Sequence, residues 1–211
     1  MVKLRLSRKR ASPSQTQAPT TPQVEQLNSR LLPEVFANFE PNDPIRVLDL
    51  GPGQADTLSF LTQFSAKVTF LDLSDLDWPD STEEITPAQA ITVCQQTISL
   101  PDQSKFDVVL FWDALHHLSA PLLEGLSARL FDHTHKGTLG FGFGSLQSDR
   151  LHKPANYSLI DQQHIKVRHN NDGQSFSAHS QQQLTEHFVC MHIAKATLLQ
   201  EGKLELLFER Y

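Results

Sequence analysis

The sequence of 211 residues predicts an α/β fold of the doubly wound kind, a mostly parallel sheet with helices on both faces and a C-terminal antiparallel hairpin. Three observations predict it. Short continuous apolar runs recur between helix-capable segments, as expected of strands buried on both faces. Strand and helix alternate, which implies parallel pairing through right-handed crossovers. The alternation then breaks, because the last two strand-like runs are separated only by Gln200–Gly202, a short turn containing glycine.

Residues 1–21 hold no periodic apolar positions and are rich in Ser, Thr, Gln and Pro, so burial there does not offset the entropy of ordering. A disordered tail is expected, followed by a single domain over 22–211. Thr21 as a cap, Pro22 at the first helical position, and Val24, Leu27, Leu31 and Val35 at helical spacing predict a helix that Pro33 kinks or divides. Residues 47–50 form the first strand; 67–73, 90–96, 106–112 and 137–143 repeat its character. Between them lie helix-capable segments at 57–64, within 81–89, and at 119–131, where Ser119 caps and Pro121 sits in the first turn. A helix over 179–188 and strands over 190–199 and 203–211 complete the chain. Residues 145–180 show no clear periodicity and leave the carboxyl end of the fifth strand, where open α/β sheets bind ligands. That segment is a candidate lid or substrate segment.

Composition narrows the class. The chain is 39% hydrophobic and 20% charged, with no apolar run of the roughly eighteen residues that a membrane helix needs. The N-terminal charges are followed by a polar, Pro-rich stretch rather than an apolar core, so the cytoplasm is the expected compartment. Lys3, Arg5, Arg8, Lys9 and Arg10 precede the first acid, Glu25, so the body is more acidic than the net −6 of the chain. The basic tail can contact an anionic partner or can simply be a solvated end, whereas the acidic body would repel a polyanion. Cys94 and Cys190 form neither a disulfide framework nor a zinc spacing and read as reduced core thiols. The "DHTH" and "HH" runs do not supply three ligands on one rigid element, so no metal is expected.

In "LDLGPGQAD", Gly51 and Gly53 follow a buried strand and precede a helix, which allows a tight turn and close approach by a bound molecule. The same pair also reads as a turn with no ligand. Asp72 ends the second strand, where a carboxylate can accept both hydroxyls of a ribose lying across the glycine loop; it also reads as one solvated acid among Asp75, Asp77 and Asp80.

Taken together, "VLDLGPGQAD", "LDLSD", "FDVVLFWDALHHL" and the terminal hairpin resemble the class I S-adenosylmethionine-dependent methyltransferases, from about Leu27 to Tyr211. The resemblance implies a seven-stranded sheet with the last strand inserted antiparallel, S-adenosylmethionine as cofactor, and methyl transfer to a small-molecule or protein acceptor. It places the methionyl part at Asp49 and the backbone of Gly51 and Gly53, and the ribose at Asp72. It places the adenine after the third strand, where Gln96 or Thr97 stands instead of the acid common in the family. Phe111 and Trp112 would wall the sulfonium, whose charge an aromatic face attracts, although both rings also read as core. Ala55 stands where the family commonly has a third glycine. No "NPPY"-type or "DPPY"-type run follows the fourth strand, so the resemblance does not point to an amino-methylating nucleic-acid enzyme.

Displacement at an activated carbon draws much of its catalysis from orientation, so a base is optional. Asp113, His116 and His117 are the candidates if the acceptor must lose a proton. The missing adenine-side acid keeps open an inactive binding or scaffold protein on the same fold. A nicotinamide-dependent oxidoreductase would share the glycine loop and Asp72, but calls for parallel strands where this chain ends in a hairpin.

Overall fold

The computed structural model describes residues 24–79, 85–102, 104–146, 151–170 and 175–211. The expected tail and the Thr21–Pro22 helix start lie outside the described residues, as do residues 81–84 of the segment expected within 81–89. In chain order the elements are β1 (Val24–Asn28), α1 (Leu32–Phe36), β2 (Arg46–Asp49), α2 (Ala55–Leu61), β3 (Lys67–Phe70), α3 (Pro87–Thr97), β4 (Phe106–Trp112), α4 (Ala120–Phe131), β5 (Thr134–Ser145), β6 (Leu151–His152), β7 (Ala155–Leu159), β8 (His164–His169), β9 (Phe176–Ser177), α5 (Gln181–His187), β10 (His192–Leu198) and β11 (Lys203–Glu209).

The main sheet is mixed and has six strands in the order β10-β11-β5-β4-β2-β3. Strands β3, β2, β4 and β5 pair in parallel. The last strand, β11, lies between β5 and β10 and runs antiparallel to both, with Gln200–Gly202 as the turn. The expected closing hairpin and its inserted last strand are therefore present.

Among the described residues the seventh strand is not. Residues 90–96, expected as a strand, lie inside helix α3, and β3 is left at the sheet edge. The helix wins because its start is fully capped: Thr86 Oγ1 accepts from the Gln89 N–H, the Gln89 side chain reaches back to the Thr86 N–H, and Pro87 opens the first turn. Ala90 and Cys94, one turn apart, are fully buried, while Ile91 and Val93 are only half-buried. Their partner is α4, whose Gly125 is needed for the approach: a Cβ there would lie 2.6 Å from the Ala90 carbonyl oxygen and 2.7 Å from Cys94 Sγ.

The helix expected from Thr21 through Val35 is also corrected, to strand β1 followed by the short α1. Val24 to Asn28 pair antiparallel with Arg168 to His164, a partner some 140 residues away in sequence that local periodicity could not reveal. Pro33 sits in the first turn of α1 and starts that helix rather than kinking one. The join is held by Ser29 Oγ, which accepts from Leu32 N–H at 3.0 Å, and by the buried Glu205, whose Oε2 accepts from Arg30 and Leu31 N–H at 2.9 and 3.2 Å.

Helices α3, α4 and α5 cover one face of the sheet, packing on Leu48, Val109, Phe111, Leu206 and Phe208. The other face packs Val47, Val108, Leu110, Trp112, Phe141 and Phe143 against α1, α2 and a small second sheet. The alternating "GFGFG" of β5 fits this division: a Cβ on Gly140 would lie 2.6 Å from the Phe111 ring, so bare backbone faces the helices while Phe141 and Phe143 face the other way. The second sheet, β1-β8-β7, takes up much of the 145–180 segment, with Tyr157, Leu159, Ile165 and Val167 turned inward, and β6 pairs with β9. Both cysteines are free and buried, and burial pushes each thiol up to about 11. Among the described residues no helix is long and apolar enough to cross a membrane.

Candidate functional site

The parallel ladder delivers the ends of β2, β3 and β4 to one edge of the sheet. Past Asp49 it continues through Leu50 N–H to the Leu110 carbonyl at 2.9 Å and Leu71 N–H to the Asp49 carbonyl at 2.8 Å. Asp49 itself is 1% exposed. Its Oδ1 accepts from Gly51 N–H at 3.0 Å and from the Trp112 indole N–H at 2.7 Å, whereas Oδ2 is buried with no donor among the described residues. Burial, only partly opposed by those two donors, raises the Asp49 carboxyl from 3.8 to about 7, and the nearby charge of Asp72 adds to the rise.

Neither glycine of the loop has a positive φ. What they permit is close approach by rings of this chain: a Cβ on Gly51 would lie 3.0 Å from Trp112 Cδ1, and one on Gly53 would lie 3.3 Å from the Phe70 ring. Asp72 is half-buried at the end of β3; its Oδ1 accepts from both the N–H and the hydroxyl of Ser74, at 2.9 and 2.6 Å. Asp49, Gly51, Gly53, Asp72 and Trp112 thus stand together at the carboxyl ends of β2, β3 and β4.

Gln96 and Thr97 do not join them. They end α3, and the next residue, Ile98, accepts through its carbonyl from Arg129 Nε at 3.3 Å in the last turn of α4, the turn that leads into β5. That places the pair with the amino ends of β4 and β5, across the sheet from the glycine loop. Phe111 points to the helical face, edge-on to Phe188 and Phe208 at 5.3 and 5.0 Å.

The β7–β8 hairpin covers the start of α2. Lys166 Nζ donates to Asp56 Oδ2 at 2.6 Å, Arg168 donates to Gln54 Oε1 at 2.5 Å, and Leu159 N–H donates to Thr57 Oγ1 at 3.1 Å. The hairpin also brings Tyr157 to the end of β4. The Tyr157 and Trp112 rings stack at 5.5 Å, 11° from parallel. The Tyr157 hydroxyl donates to Asp113 Oδ2 at 3.0 Å and accepts from Lys203 Nζ, also at 3.0 Å; the same ammonium lies 4.0 Å over the Phe143 ring. Burial raises the carboxyl of Asp113 and the phenol of Tyr157 and lowers the ammonium of Lys203.

Of the three base candidates, His116 is committed elsewhere. Its Nε2 meets the Phe143 carbonyl at 2.9 Å and its Nδ1 accepts from His179 N–H at 3.0 Å, which assigns the proton to Nε2. Burial drops it to about 3, so it stays neutral and ties the ends of β4 and β5 to the segment before α5. His117 is more open, with Nε2 4.0 Å from Asp113 Oδ1.

Tyr157 and Lys203 are the site residues that sequence reasoning missed. The only available signals were weak: Tyr157 is one of two tyrosines, and Lys203 is the charged first residue of a strand that also carries Glu205 and Glu209.

The family pattern described as "Methyltransferase domain" matches residues 22–188 of the chain. No curated protein matches it. Among solved structures, a S-adenosylmethionine-dependent methyltransferase from Clostridium acetobutylicum is similar over 84% of this chain and 88% of its own, at 12% identity and a TM-score of 0.49. The 1,6-didemethyltoxoflavin-N1-methyltransferase of Burkholderia thailandensis, solved with 1,6-didemethyltoxoflavin and S-adenosylhomocysteine, is similar over 86% of this chain and 77% of its own, at 16% identity and 0.47. DesVI of Streptomyces venezuelae is similar over 86% and 89%, at 12% identity and 0.48.

Proposed function

Because the chain belongs to the class I S-adenosylmethionine-dependent methyltransferases, we propose that it moves the methyl group of that cofactor to a small-molecule acceptor at the ends of β2 and β4. One observation carries the donor site: Asp49 has one oxygen fully engaged and the other buried without a donor among the described residues, which fits a methionyl ammonium. When bound, S-adenosylmethionine supplies a methyl carbon already activated by a positive sulfur.

The remaining work belongs to the chain. The Gly51 and Gly53 backbone would meet the methionyl part once the Trp112 ring moves off Gly51, and Asp72 offers the oxygen not used by Ser74 to the ribose hydroxyls. Trp112 presents an aromatic ring near the sulfonium position. Gln96 and Thr97, at the other end of the sheet, are not carried into the site. A small molecule is favoured over a protein side chain because the carboxyl of Asp113 is only 13% exposed, behind Tyr157.

The test is calorimetric titration with S-adenosylmethionine and S-adenosylhomocysteine. Binding is expected, and Asp72→Ala should weaken it by about 1.5–3 kcal/mol, the range for hydrogen bonds to a charged group, without loss of fold. A folded protein that binds neither compound would overturn the enzyme reading. One observation favours the alternative of an inactive binding or scaffold protein: the Trp112 ring lies against Gly51, so a donor enters the loop only with that ring shifted. Binding of both compounds, accompanied by a change in Trp112 fluorescence in a Trp78→Phe background, would remove this objection.

A further inference from the structure

We propose that Tyr157 and Lys203 are positioning residues for Asp113, and that Asp113 Oδ1 takes the proton of an acceptor whose attacking oxygen or nitrogen carries one. The inference rests on the methyl-transfer reading and adds to it the chemical class of the acceptor and the group that receives its proton.

The direction of the hydrogen-bond chain is forced by its donors. An ammonium has no lone pair, so Lys203 must donate to the Tyr157 oxygen, and the single phenolic proton then goes to Asp113 Oδ2. Oδ2 is thereby held as an acceptor. His117 Nε2 stands 4.0 Å from Oδ1, beyond hydrogen-bond reach, so Oδ1, which neither Tyr157 nor His117 engages, is the oxygen assigned to the acceptor's proton.

The backbone has been bent to build this arrangement. Successive residues of a strand point to opposite faces, yet Trp112 stacks on the Tyr157 ring while Asp113 takes the hydroxyl of the same residue. The turn is made at Trp112, whose φ of +52° lies in the left-handed region that non-glycine residues avoid. Such strain persists where the surroundings enforce it, and here they do: the indole is pinned by Asp49 and by Tyr157. One residue therefore contacts the donor loop and the next presents a carboxylate.

The charges suit a base. Around Asp113 stand His117 from its own segment, Tyr157 from β7 and Lys203 from β11, with Glu25 of β1 and Glu205 of β11 acting on Lys203. Burial raises the Asp113 carboxyl, and His117, Lys203 and Tyr157 each pull it back toward the ionised form. Burial is the larger effect, so this carboxylate is more basic than an ordinary one while its neighbours still favour the ionised form, the combination a proton acceptor needs. In the step, the lone pair of a neutral acceptor forms the bond to the methyl carbon and the carbon–sulfur pair returns to sulfur. The acceptor's proton passes to Asp113 Oδ1, so a carboxylate and a sulfonium become a carboxylic acid and a thioether with total charge conserved.

The test reads Asp113 directly. Full-length protein with carbon-13 aspartate is titrated by NMR, and the Asp113 signal is assigned by its loss in Asp113→Asn. The wild-type carboxyl should be mainly ionised at neutral pH yet titrate above the ordinary carboxylate range. Tyr157→Phe, which keeps the ring stack and removes only the hydroxyl, and Lys203→Met should each raise the acid-to-base ratio at fixed pH by at least about threefold, while Lys203→Arg stays close to wild type. A purely structural hydrogen bond would leave that midpoint in place. An unchanged midpoint in both Tyr157→Phe and Lys203→Met, or a wild-type Asp113 already protonated at neutral pH, would overturn the inference. Titration with S-adenosylhomocysteine separates the two levels: failure of the wild type to bind it counts against methyl transfer itself, whereas retained binding with an uncoupled Asp113 counts against this proton acceptor alone.

Discussion

Replacing Asp49 with Asn should abolish a pH dependence of folding that the wild-type protein carries through the weakly acid range. Burial is the main reason the Asp49 carboxyl rises from 3.8 to about 7, so between those values the folded chain binds a proton that the unfolded chain has released. The sign follows. The contribution of this group to stability is fully present below 3.8 and is lost as the pH rises through about 7. The interval between the two values corresponds to roughly 4 kcal/mol as an upper figure.

Urea unfolding of wild type and Asp49→Asn across that range isolates the effect, because other titrating groups, Asp113 among them, contribute equally to both curves. Parallel curves would refute the burial argument. The same group should register the donor. An ammonium against Oδ2 would draw the carboxyl down, and since about half the molecules carry the proton near pH 7, binding of S-adenosylhomocysteine should release about half a proton there. Calorimetry in buffers of different ionisation enthalpy measures that release, and Asp49→Asn should show none. Binding with no proton release from the wild type would separate the methionyl ammonium from Asp49.

Gly125→Ala should destabilise the protein even though alanine is the better helix former. The added Cβ would meet the Ala90 carbonyl at 2.6 Å, an overpacking cost of about 1–3 kcal/mol against a propensity gain of about 1 kcal/mol, so a raised melting temperature would count against the close α3–α4 approach. Asp56→Asn should cost less than about 1 kcal/mol of global stability, since the pair with Lys166 is partly solvated, yet it should speed hydrogen exchange in 155–169; unchanged exchange would show that the clamp does not hold the hairpin. In Tyr211→Phe, Tyr157 is the sole tyrosine, and burial together with the Asp113 charge should keep its phenol protonated in an absorbance titration until the fold is lost; ionisation in the folded protein at an ordinary phenol pH would refute that environment.

The legible parts of this molecule share one property, which is that their cause is local. Val47 to Leu50 read as a buried strand, the glycines as a strand-to-helix loop and Gln200–Gly202 as a hairpin turn because the deciding residues lie within a few positions of one another. The error at 90–96 belongs to the same level. A short apolar run fits a strand or a buried helix equally, and the evidence that settles it, Thr86 with Gln89 and Pro87, lay just upstream. Gln96 and Thr97 then followed the misplaced strand to the wrong end of the sheet.

Other features had no local cause. Val24 to Asn28 became a strand only because His164 to Arg168 offered an edge, and cross-strand pairing outweighed a helical spacing of four apolar residues. Asp113, Tyr157 and Lys203 meet across separations of 44 and 46 residues, and no spacing rule connects an acid after one strand, a tyrosine in a hairpin and a lysine at the start of another strand. Residue order along the chain was enough for the α/β frame and for Asp49, Gly51, Gly53 and Asp72 at its edge, since periodicity and turn chemistry act over one or two turns of chain. The indole against Gly51, the orphaned oxygen of Asp49 and the carboxylate that Tyr157 holds came into being only when remote segments packed, because burial and hydrogen-bond partners are properties of contact in space.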